Sequence, residues 1–317
     1  MEYLILILSL AGIVLGADFL VKGAVVVARK CRVSSFVIGA VIVGIGTSLP
    51  ELVVSTVGAI GGNSEVAIGN VVGSNIFNVF AILGLTALFF PIAVSRENMK
   101  FEIPFCIAVS VLLMLLVYNF FVGGEPRLGR WDGAALLLAF TSFMWISLRR
   151  GKSSAATVGE SVEEENKSLW FAAFSILGGL AALIVSSNFF VDEAVAIARK
   201  LGVSDAFISI TLLACGTSLP ELAASVTAAV KKDTDMALGN IIGSNIFNAT
   251  MILGTASLIT PLTTGKIGLV DYGAMILAAV LPMIFGIRGK ITRFEGLLML
   301  LCYAAYTWYI VTYVMAV

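Results

Sequence analysis

Two sequence blocks occur twice in this chain, each time with the same spacing. The block GTSLPEL begins at Gly46 and again at Gly216, and a second block, GNVVGSNIFN from Gly69, returns as GNIIGSNIFN from Gly239. The second copy of each block begins 170 residues after the first, so the distance between the two blocks is also the same in each copy. The chain is therefore an internal duplication, and its fold must be built from two related halves.

The chain is too apolar for a soluble protein. Of its 317 residues, 59% are hydrophobic and 13% are charged. Several apolar runs reach the length of about 20 residues that a helix needs to cross a bilayer, and the alternating pattern of a β-barrel is absent. We therefore predict an all-α polytopic membrane protein with ten transmembrane helices, five in each half. The predicted helices are 3–28, 34–60, 65–91, 101–121, 131–148, 168–198, 205–230, 234–261, 267–287 and 294–315.

Charge in the connections predicts how the chain crosses the membrane. The predicted halves are residues 1–148 and 168–317, joined by a short polar linker at 149–167. Lys and Arg number fourteen in the connections after odd-numbered helices and five after even-numbered ones. Because cytoplasmic loops carry the excess of positive charge, the linker should be cytoplasmic and both termini extracellular. Five helices per half make the halves cross in opposite directions, the inverted-repeat plan of many secondary transporters.

Composition also argues against several function classes. Zero net charge argues against a nucleic-acid partner. The chain has no histidine, and its four cysteines show no CxxC spacing, so soft-metal and thiol chemistry are poorly supplied. The sequence offers no convincing pair of a nucleophile and a base, which argues against an intramembrane enzyme. We expect no enzymatic activity, no cofactor and no obligate protein partner.

Each copy of the first block places a carboxylate, Glu51 or Glu221, inside a predicted span. An ionisable residue there is costly and indicates function. Pro50 has no N–H for the carbonyl of Gly46 and disfavours helical geometry at the preceding residue, so helix 2 should break at GTSLP, and helix 7 at its copy. Glu51 then lies in the first turn of the following half-helix, where the helix dipole favours an ionised carboxylate.

The second block shows helical periodicity. Asn70, Ser74 and Asn78 recur every four residues and share one face, while Gly69 and Gly73 allow close helix approach. The second copy repeats this with Asn240, Ser244, Asn248, Gly239 and Gly243. We expect the four segments to converge at the membrane midplane. The cage would hold the two carboxylates, amide oxygens, freed carbonyls and the hydroxyls of Thr47, Ser48, Thr217 and Ser218.

An all-oxygen cage favours hard cations, and Ca²⁺ takes about six to eight oxygen ligands. Two carboxylates would neutralise one divalent ion. Without an ion they would repel each other, which favours binding a proton or monovalent cations instead. The pattern therefore predicts competition between cations at one site, which is the physical basis of exchange.

The paired GTSLPE and GNxxGSNxxN blocks resemble the α-repeats of the calcium/cation antiporter superfamily, specifically its prokaryotic sodium/calcium exchanger branch. The resemblance spans nearly the whole chain. It implies a secondary active antiporter that exchanges Na⁺ for Ca²⁺ across the cytoplasmic membrane of a prokaryote by alternating access. It also implies that the long helices 1 and 6 slide as a gating pair.

The same resemblance implies roles for matching residues. Glu51 and Glu221 would be the central Ca²⁺ ligands, with added oxygens from Thr47 and Thr217. Asn78 and Asn248 would line the centre. Flanking Na⁺ sites would use Ser48, Ser74, Ser218, Ser244 and the backbone carbonyls of Gly44 and Ala214.

Two coupling alternatives stay open. K⁺-dependent members of the superfamily carry an acidic residue at the position of Asn248, so its absence favours K⁺-independent transport. Proton-coupled calcium exchangers place an acidic residue in the GN-type block, where this chain has Ser74 and Ser244. A proton/calcium exchanger is the runner-up, and a cation channel is a further alternative.

Other polar residues in the predicted spans have structural interpretations. Asn75, Asn245, Ser55 and Ser225 are interpreted as residues that bond a neighbouring helix. Lys22 can either extend its long stem to the membrane interface or pair with Asp18 at i,i+4 in helix 1.

Overall fold

The computed structural model describes residues 2–120, 125–151, 168–201 and 214–314, which are mostly helical. Among these residues, eight helices are long and apolar enough to cross a membrane, and one bent helix pair makes a ninth span. The prediction of an all-α polytopic membrane protein is confirmed. The predicted seventh helix, 205–230, begins outside the described residues, so the count of ten stays a prediction.

The first half contains six helices and two short strands. They are α1 (Glu2–Cys31), α2 (Ser35–Thr47), α3 (Leu49–Ile60), α4 (Ser64–Phe89), β1 (Ile92–Ala93), α5 (Asn98–Val117), β2 (Arg127–Leu128) and α6 (Arg130–Gly151). Helices α2 and α3 are the bent pair, with an angle of 47° at Ser48. Wider π turns occur within α2 at Gly39–Val43 and within α4 at Asn78–Leu83, and another opens α5 at Asn98–Glu102.

The second half follows the same order. It contains α7 (Leu169–Lys200), the short α8 (Ala214–Gly216), α9 (Leu219–Val230), α10 (Thr234–Ile259), β3 (Leu262–Thr263), α11 (Leu269–Gly286), β4 (Lys290–Ile291) and α12 (Arg293–Tyr309). Helix α10 contains a π turn at Asn248–Ile252, and α12 continues as one at Ile310–Val314.

Several helix ends lie a few residues from their predicted positions, among them those of α1, α5 and α6. Helix α5 stops at Val117 instead of 121, because Asn119 adopts a left-handed backbone (φ 49°) that ends a helix. Helix α6 continues to Gly151 instead of 148. Its last turn is held by the Arg149 guanidinium, 3.9 Å from the Trp145 ring centroid. The first three residues of the predicted linker are therefore helical, and 152–167 lie outside the described residues.

Helices α4 and α10, which carry the second block, form the centre of the molecule. In their most apolar stretches 72% and 83% of the residues are buried, against 11–39% in the other long spans. Close approach explains part of this burial. Gly243 contacts the backbone of Ala40 in α2, so a side chain at this position would overlap with it.

Two short antiparallel strand pairs join the halves. Strand β1 pairs with β4, with Ile92 opposite Ile291, and β2 pairs with β3, with Leu128 opposite Leu262. Each pair takes one strand from each half, and β1 and β3 begin 170 residues apart. The strand pairs are therefore repeats of one arrangement.

The long helices α1 and α7 pack against each other along their length. Gly16 of α1 meets Gly179 of α7, while Gly23 meets Ala172. Rising numbers on one helix match falling numbers on the other, so the two helices run antiparallel. Small residues at this interface allow the backbones to approach closely.

Candidate cation-binding site

Glu51 and Glu221 lie in the first turns of α3 and α9, and both side chains are fully buried. Pro50 and Pro220 directly precede them at the second helical position. Proline is tolerated there because the first N–H groups of a helix have no intrahelical acceptor. The positive end of each helix dipole favours a charged carboxylate at this position.

Each of these carboxylates accepts a hydrogen bond from a serine of the other half. Ser218 donates to Oε1 of Glu51 at 3.1 Å, and Ser48 donates to Oε1 of Glu221 at 2.7 Å. Each serine lies three residues before the glutamate of its own half. The segments that precede α3 and α9 therefore meet, and they bring together acids that are distant in sequence.

Ser74 and Ser244 occupy matching positions in α4 and α10 but make different contacts. Ser74 shares a 2.9 Å hydrogen bond with Ser218 and donates to Oε1 of Glu51 at 3.4 Å. Ser244 donates to the carbonyl of Gly44 at 3.2 Å. Thr47 is fully buried, and its hydroxyl donates to the carbonyl of Val43 at 3.0 Å. Ser74 therefore contacts a carboxylate directly, whereas Ser244 and Thr47 contact backbone carbonyls of α2.

Four asparagines form a symmetric cluster between α4 and α10. The side-chain amides of Asn75 and Asn245 each donate to the other's backbone carbonyl at 3.1 Å. Their side-chain oxygens in turn accept from Asn78 (to Asn245, 3.0 Å) and Asn248 (to Asn75, 3.2 Å). Asn78 and Asn248 also each begin a π turn, a rare conformation that is frequent at functional sites.

Among the residues that the structure describes, no donor reaches four of the buried oxygens at this centre. They are Oε2 of Glu51, Oε2 of Glu221, Oδ1 of Asn78 and Oδ1 of Asn248, two pairs related by the duplication. Buried polar atoms are normally paired, and an unpaired carboxylate oxygen in an apolar interior is costly. Carboxylate and amide oxygens are the ligands that hard cations take, so these atoms fit a cation.

Two lysines form ion pairs with Asp18 of α1. Lys22 and Lys231 contact the two carboxylate oxygens of Asp18 at 2.6 and 2.7 Å. The predicted pairing of Lys22 with Asp18 is confirmed, and the contact with Lys231 is additional. In the described part of the chain, neither Glu51 nor Glu221 has a basic partner within 4.0 Å.

Asn70 and Asn240 hold the glutamate backbones. Asn70 donates to the carbonyl of Glu51 at 3.3 Å and to Ser55 at 3.0 Å. Asn240 donates in the same way to the carbonyl of Glu221 (3.1 Å) and to Ser225 (2.8 Å).

These contacts also confirm the interpretation of four polar residues as residues that bond a neighbouring helix. They are Asn75, Asn245, Ser55 and Ser225. Asn75 and Asn245 repeat at the 170-residue offset, and this repetition was the signal that could have placed these two asparagines beside the site.

Two predicted site residues, Thr217 and Ala214, take no part in the hydrogen bonds described above. Thr217 is only half-buried, and none of the hydrogen bonds found among the described residues joins it to the others. Ala214 opens α8, but Ser74, the counterpart of Ser244, bonds Glu51 and Ser218 instead of the Ala214 carbonyl. The two halves are therefore unequal at these positions.

Comparison with known proteins gives the site a family context. A family model described as sodium/calcium exchanger protein matches residues 1–149 and 171–312. The sodium/calcium exchanger MaX1 of Methanosarcina acetivorans is 35% identical, over 96% of this chain and 97% of that protein. The inner membrane protein YrbG of Escherichia coli K12 is 34% identical, over 87% of this chain and 86% of that protein.

A solved structure has the same fold. The sodium-calcium exchanger NCX_Mj, soaked with 10 mM Na⁺ and zero Ca²⁺, matches with a TM-score of 0.83 and 32% identity over 98% of both chains. The likeness covers both halves of the chain. The chain therefore belongs to the sodium/calcium exchanger family.

Proposed function

We propose that this protein is a secondary antiporter that exchanges Na⁺ for Ca²⁺ across the cytoplasmic membrane of a prokaryote. The observation that carries the proposal is the meeting of Glu51 and Glu221, each with one unpaired buried oxygen and without a basic partner among the described residues. The ions are cargo, and no covalent step is needed, so the proposal includes neither an enzymatic activity nor a cofactor.

We assign Ca²⁺ to the Oε2 atoms of Glu51 and Glu221, with the hydroxyl of Thr47 as a further ligand. Thr217 receives the matching role, and its half-buried position means that α8 would have to move for it to bind. Asn78 and Asn248 line the centre through their unpaired amide oxygens. The proposed Na⁺ ligands are Ser48, Ser74, Ser218, Ser244 and the carbonyls of Gly44 and Ala214.

The repulsion between the carboxylates of Glu51 and Glu221 couples the binding of Ca²⁺ to the binding of Na⁺. Two carboxylates buried in a medium of low dielectric repel each other strongly. One divalent cation neutralises both, and so do monovalent cations bound beside them. Because both kinds of cation relieve the same repulsion with shared oxygens, occupancy by one excludes the other. Asn248 is neutral, which favours transport without K⁺.

We further propose that residues 1–148 and 168–317 cross the membrane as inverted repeats, with both termini extracellular and the linker 149–167 cytoplasmic. The strand pairs support this arrangement, because β1 and β4 both follow helices expected to end in the cytoplasm, while β2 and β3 both follow helices expected to end outside.

The contacts of α1 support alternating access. Helix α1 packs along α9, and Lys231, directly after α9, is bonded to Asp18 of α1. The counterparts of these two residues are Asn188 and Gly61, which cannot form an ion pair. In the described part of the chain, the matching helices α3 and α7 make much less contact with each other. We propose that α1 closes the cytoplasmic side of the site in this conformation.

The test is uptake of radioactive Ca²⁺ into vesicles that contain the purified protein. Vesicles preloaded with Na⁺ should accumulate Ca²⁺, and K⁺ should not be required. Vesicles with Glu51→Gln should take up at least 100-fold less, because the amide keeps the shape of the side chain but removes its charge. The exposed Glu125 provides the control Glu125→Gln, which should transport normally.

Two outcomes would contradict the proposal. Uptake driven only by a pH gradient would replace Na⁺ by protons as the counter-ion. Rapid flux without any counter-ion would indicate a channel.

A further inference from the structure

The short helix α8 leads directly into Thr217 and is contacted by a residue from outside the repeated blocks. Two residues before Thr217, the Sγ atom of Cys215 lies 3.4 Å from the hydroxyl oxygen of Tyr303 in α12. Either atom can be the donor of this hydrogen bond. Helix α12 therefore takes part in the geometry of the site, although it carries none of the predicted ligands.

The ring of Tyr303 is itself fixed against the centre of the molecule. It packs edge-on against Phe77 of α4, with the ring centroids 5.4 Å apart and 67° between the ring planes. Aromatic pairs favour this arrangement. Phe77 directly precedes Asn78 in the deeply buried α4. The hydroxyl therefore reaches Cys215 from a firm support, and a movement of α8 away from α12 has to break the contact.

Helices α6 and α12 are repeats of each other at an offset of 163 residues. Asp132 and Glu295 mark this offset, since each accepts a hydrogen bond from the backbone N–H three residues earlier, at 2.7 and 2.6 Å. A glycine follows each of these acids. At the same offset, Tyr303 matches Phe140.

The ring contact is present in both halves, whereas the hydrogen bond is possible only in the second. Phe140 packs edge-on against Phe247 at 5.7 Å and 68°, which repeats the ring contact of Tyr303. Phe140 has no hydroxyl, and the counterpart of Cys215 is Ile45, which has no polar side-chain atom. The packing of the repeat therefore does not need the hydroxyl, and both partners of the hydrogen bond occur together in one half.

The two threonines of the repeated block differ between the halves in the same way. Thr47 is fully buried, whereas Thr217 is half-buried. The blocks that contain them are identical, so the difference in burial comes from contacts outside the block. The hydrogen bond between Cys215 and Tyr303 is such a contact, and it lies two residues before Thr217.

We propose that Tyr303 is a positioning residue for Ca²⁺ binding, which acts through Cys215 and holds α8 where Thr217 is half-buried. The inference rests on the proposed function, in which Thr217 is a Ca²⁺ ligand. Because α8 has to move before Thr217 can reach the ion, the hydrogen bond opposes Ca²⁺ binding and breaks when the ion is bound. The contact therefore lowers the Ca²⁺ affinity of the site and favours release of the ion.

The first test is equilibrium binding of radioactive Ca²⁺ to the purified full-length protein. Tyr303→Phe removes only the hydroxyl and should tighten Ca²⁺ binding about threefold, at the low end of what one hydrogen bond contributes. Cys215→Ala should have the same effect, and the double variant should bind no more tightly than either single variant, because both changes remove one contact. A merely structural defect would weaken binding.

The matched control lies one turn further along α12. The hydroxyl of Tyr306 donates to Asp271 at 2.7 Å, so Tyr306→Phe removes a hydrogen bond of the same helix that does not involve α8. This variant should keep the Ca²⁺ affinity of the wild type.

A chemical probe reports the position of α8 directly. Cys106 is buried, so in a protein with Cys31→Ser and Cys302→Ser a maleimide should react with the partly buried Cys215. Ca²⁺ should change the rate of this reaction. Tyr303→Phe should shift the rate measured without Ca²⁺ toward the rate of the Ca²⁺-bound protein. A rate that does not respond to Ca²⁺ would mean that α8 does not move, and would overturn the inference.

Three binding results would also overturn it. They are unchanged or weaker Ca²⁺ binding by Tyr303→Phe, an equal gain in Tyr306→Phe, and additive effects of Tyr303→Phe and Cys215→Ala. Each of these results, in a protein that binds Ca²⁺, would leave the proposed function in place. A wild-type protein that binds no Ca²⁺ would contradict both.

Discussion

Ser48 and Glu221 are 173 residues apart in the chain and are joined by a 2.7 Å hydrogen bond between buried side chains. The matching contact, Ser218 to Glu51, measures 3.1 Å. Each half supplies the serine for the acid of the other half. Each of these hydrogen bonds therefore needs a residue from both copies of the motif.

Replacing Ser48 should destabilise the protein, because Ser48→Ala removes a hydrogen bond to a buried carboxylate. Hydrogen bonds to charged groups contribute about 1.5–3 kcal/mol, and we expect a loss of this size in the free energy of unfolding. Denaturant unfolding in detergent would measure it. The control is Ser142→Ala, because Ser142 donates to the carbonyl of Leu138 at an exposed site. Equal stability of the two variants would show that the contact with Glu221 is weak.

Asn75 should act as a positioning residue. Asn75→Ala removes the acceptor of the Asn248 amide and the donor to the Asn245 carbonyl, so the oxygen of Asn248 loses its fixed direction. We expect Ca²⁺ affinity to fall about tenfold, equivalent to about 1.4 kcal/mol, and Asn245→Ala to behave alike. Calorimetric titration measures both variants. Affinity within twofold of the wild type would remove Asn75 from the site.

Lys231 should hold α1 against the end of α9. Asp18 and Lys231 are partly exposed, so solvent screening limits the pair to about 0–1 kcal/mol. Lys231→Met should therefore speed amide hydrogen exchange in the connection after α9 up to about fivefold. Lys22→Met is the matched control, because Lys22 contacts Asp18 within α1. Equal exchange rates in both variants would mean that the contact with Lys231 does not hold the two helices together.

The first turn of α10 offers a comparison between repeat positions. Asp233 caps α10 by accepting from the N–H of Met236 at 3.0 Å, whereas Asn63, its counterpart before α4, makes no such side-chain bond. Asp233→Ala should lower the free energy of unfolding by about 1 kcal/mol, and Asn63→Ala should change it little. Thermal unfolding of the two variants gives the comparison, and a larger loss at Asn63 would contradict it.

Local chemistry explains why much of this site could be predicted from the sequence. The bend between α2 and α3 follows from Pro50, which cannot donate a hydrogen bond. The close approach of the helices that carry the two blocks follows from the glycines of the second block, which leave room for a neighbouring helix. The constant 170-residue offset predicts the same approach in both halves. Carboxylates in an apolar span then leave few interpretations other than a cation.

Other features depend on tertiary contacts that periodicity does not encode. The bond between Asp18 and Lys231 joins elements 213 residues apart, and Lys231 reads in the sequence only as a loop lysine. The unequal burial of Thr47 and Thr217 also has no sequence signal, because both stand in identical motifs. A duplication predicts that the two halves are symmetric, whereas a transporter that opens to one side of the membrane at a time must differ between its halves.

The most direct test is anomalous diffraction from crystals of this protein soaked in Ca²⁺ without Na⁺. We expect one strong peak between Glu51 and Glu221, about 2.3–2.6 Å from an oxygen of each carboxylate. A soak with excess Na⁺ should remove it. A map with no calcium peak between these two carboxylates, or with the ion bound to only one of them, would contradict the account.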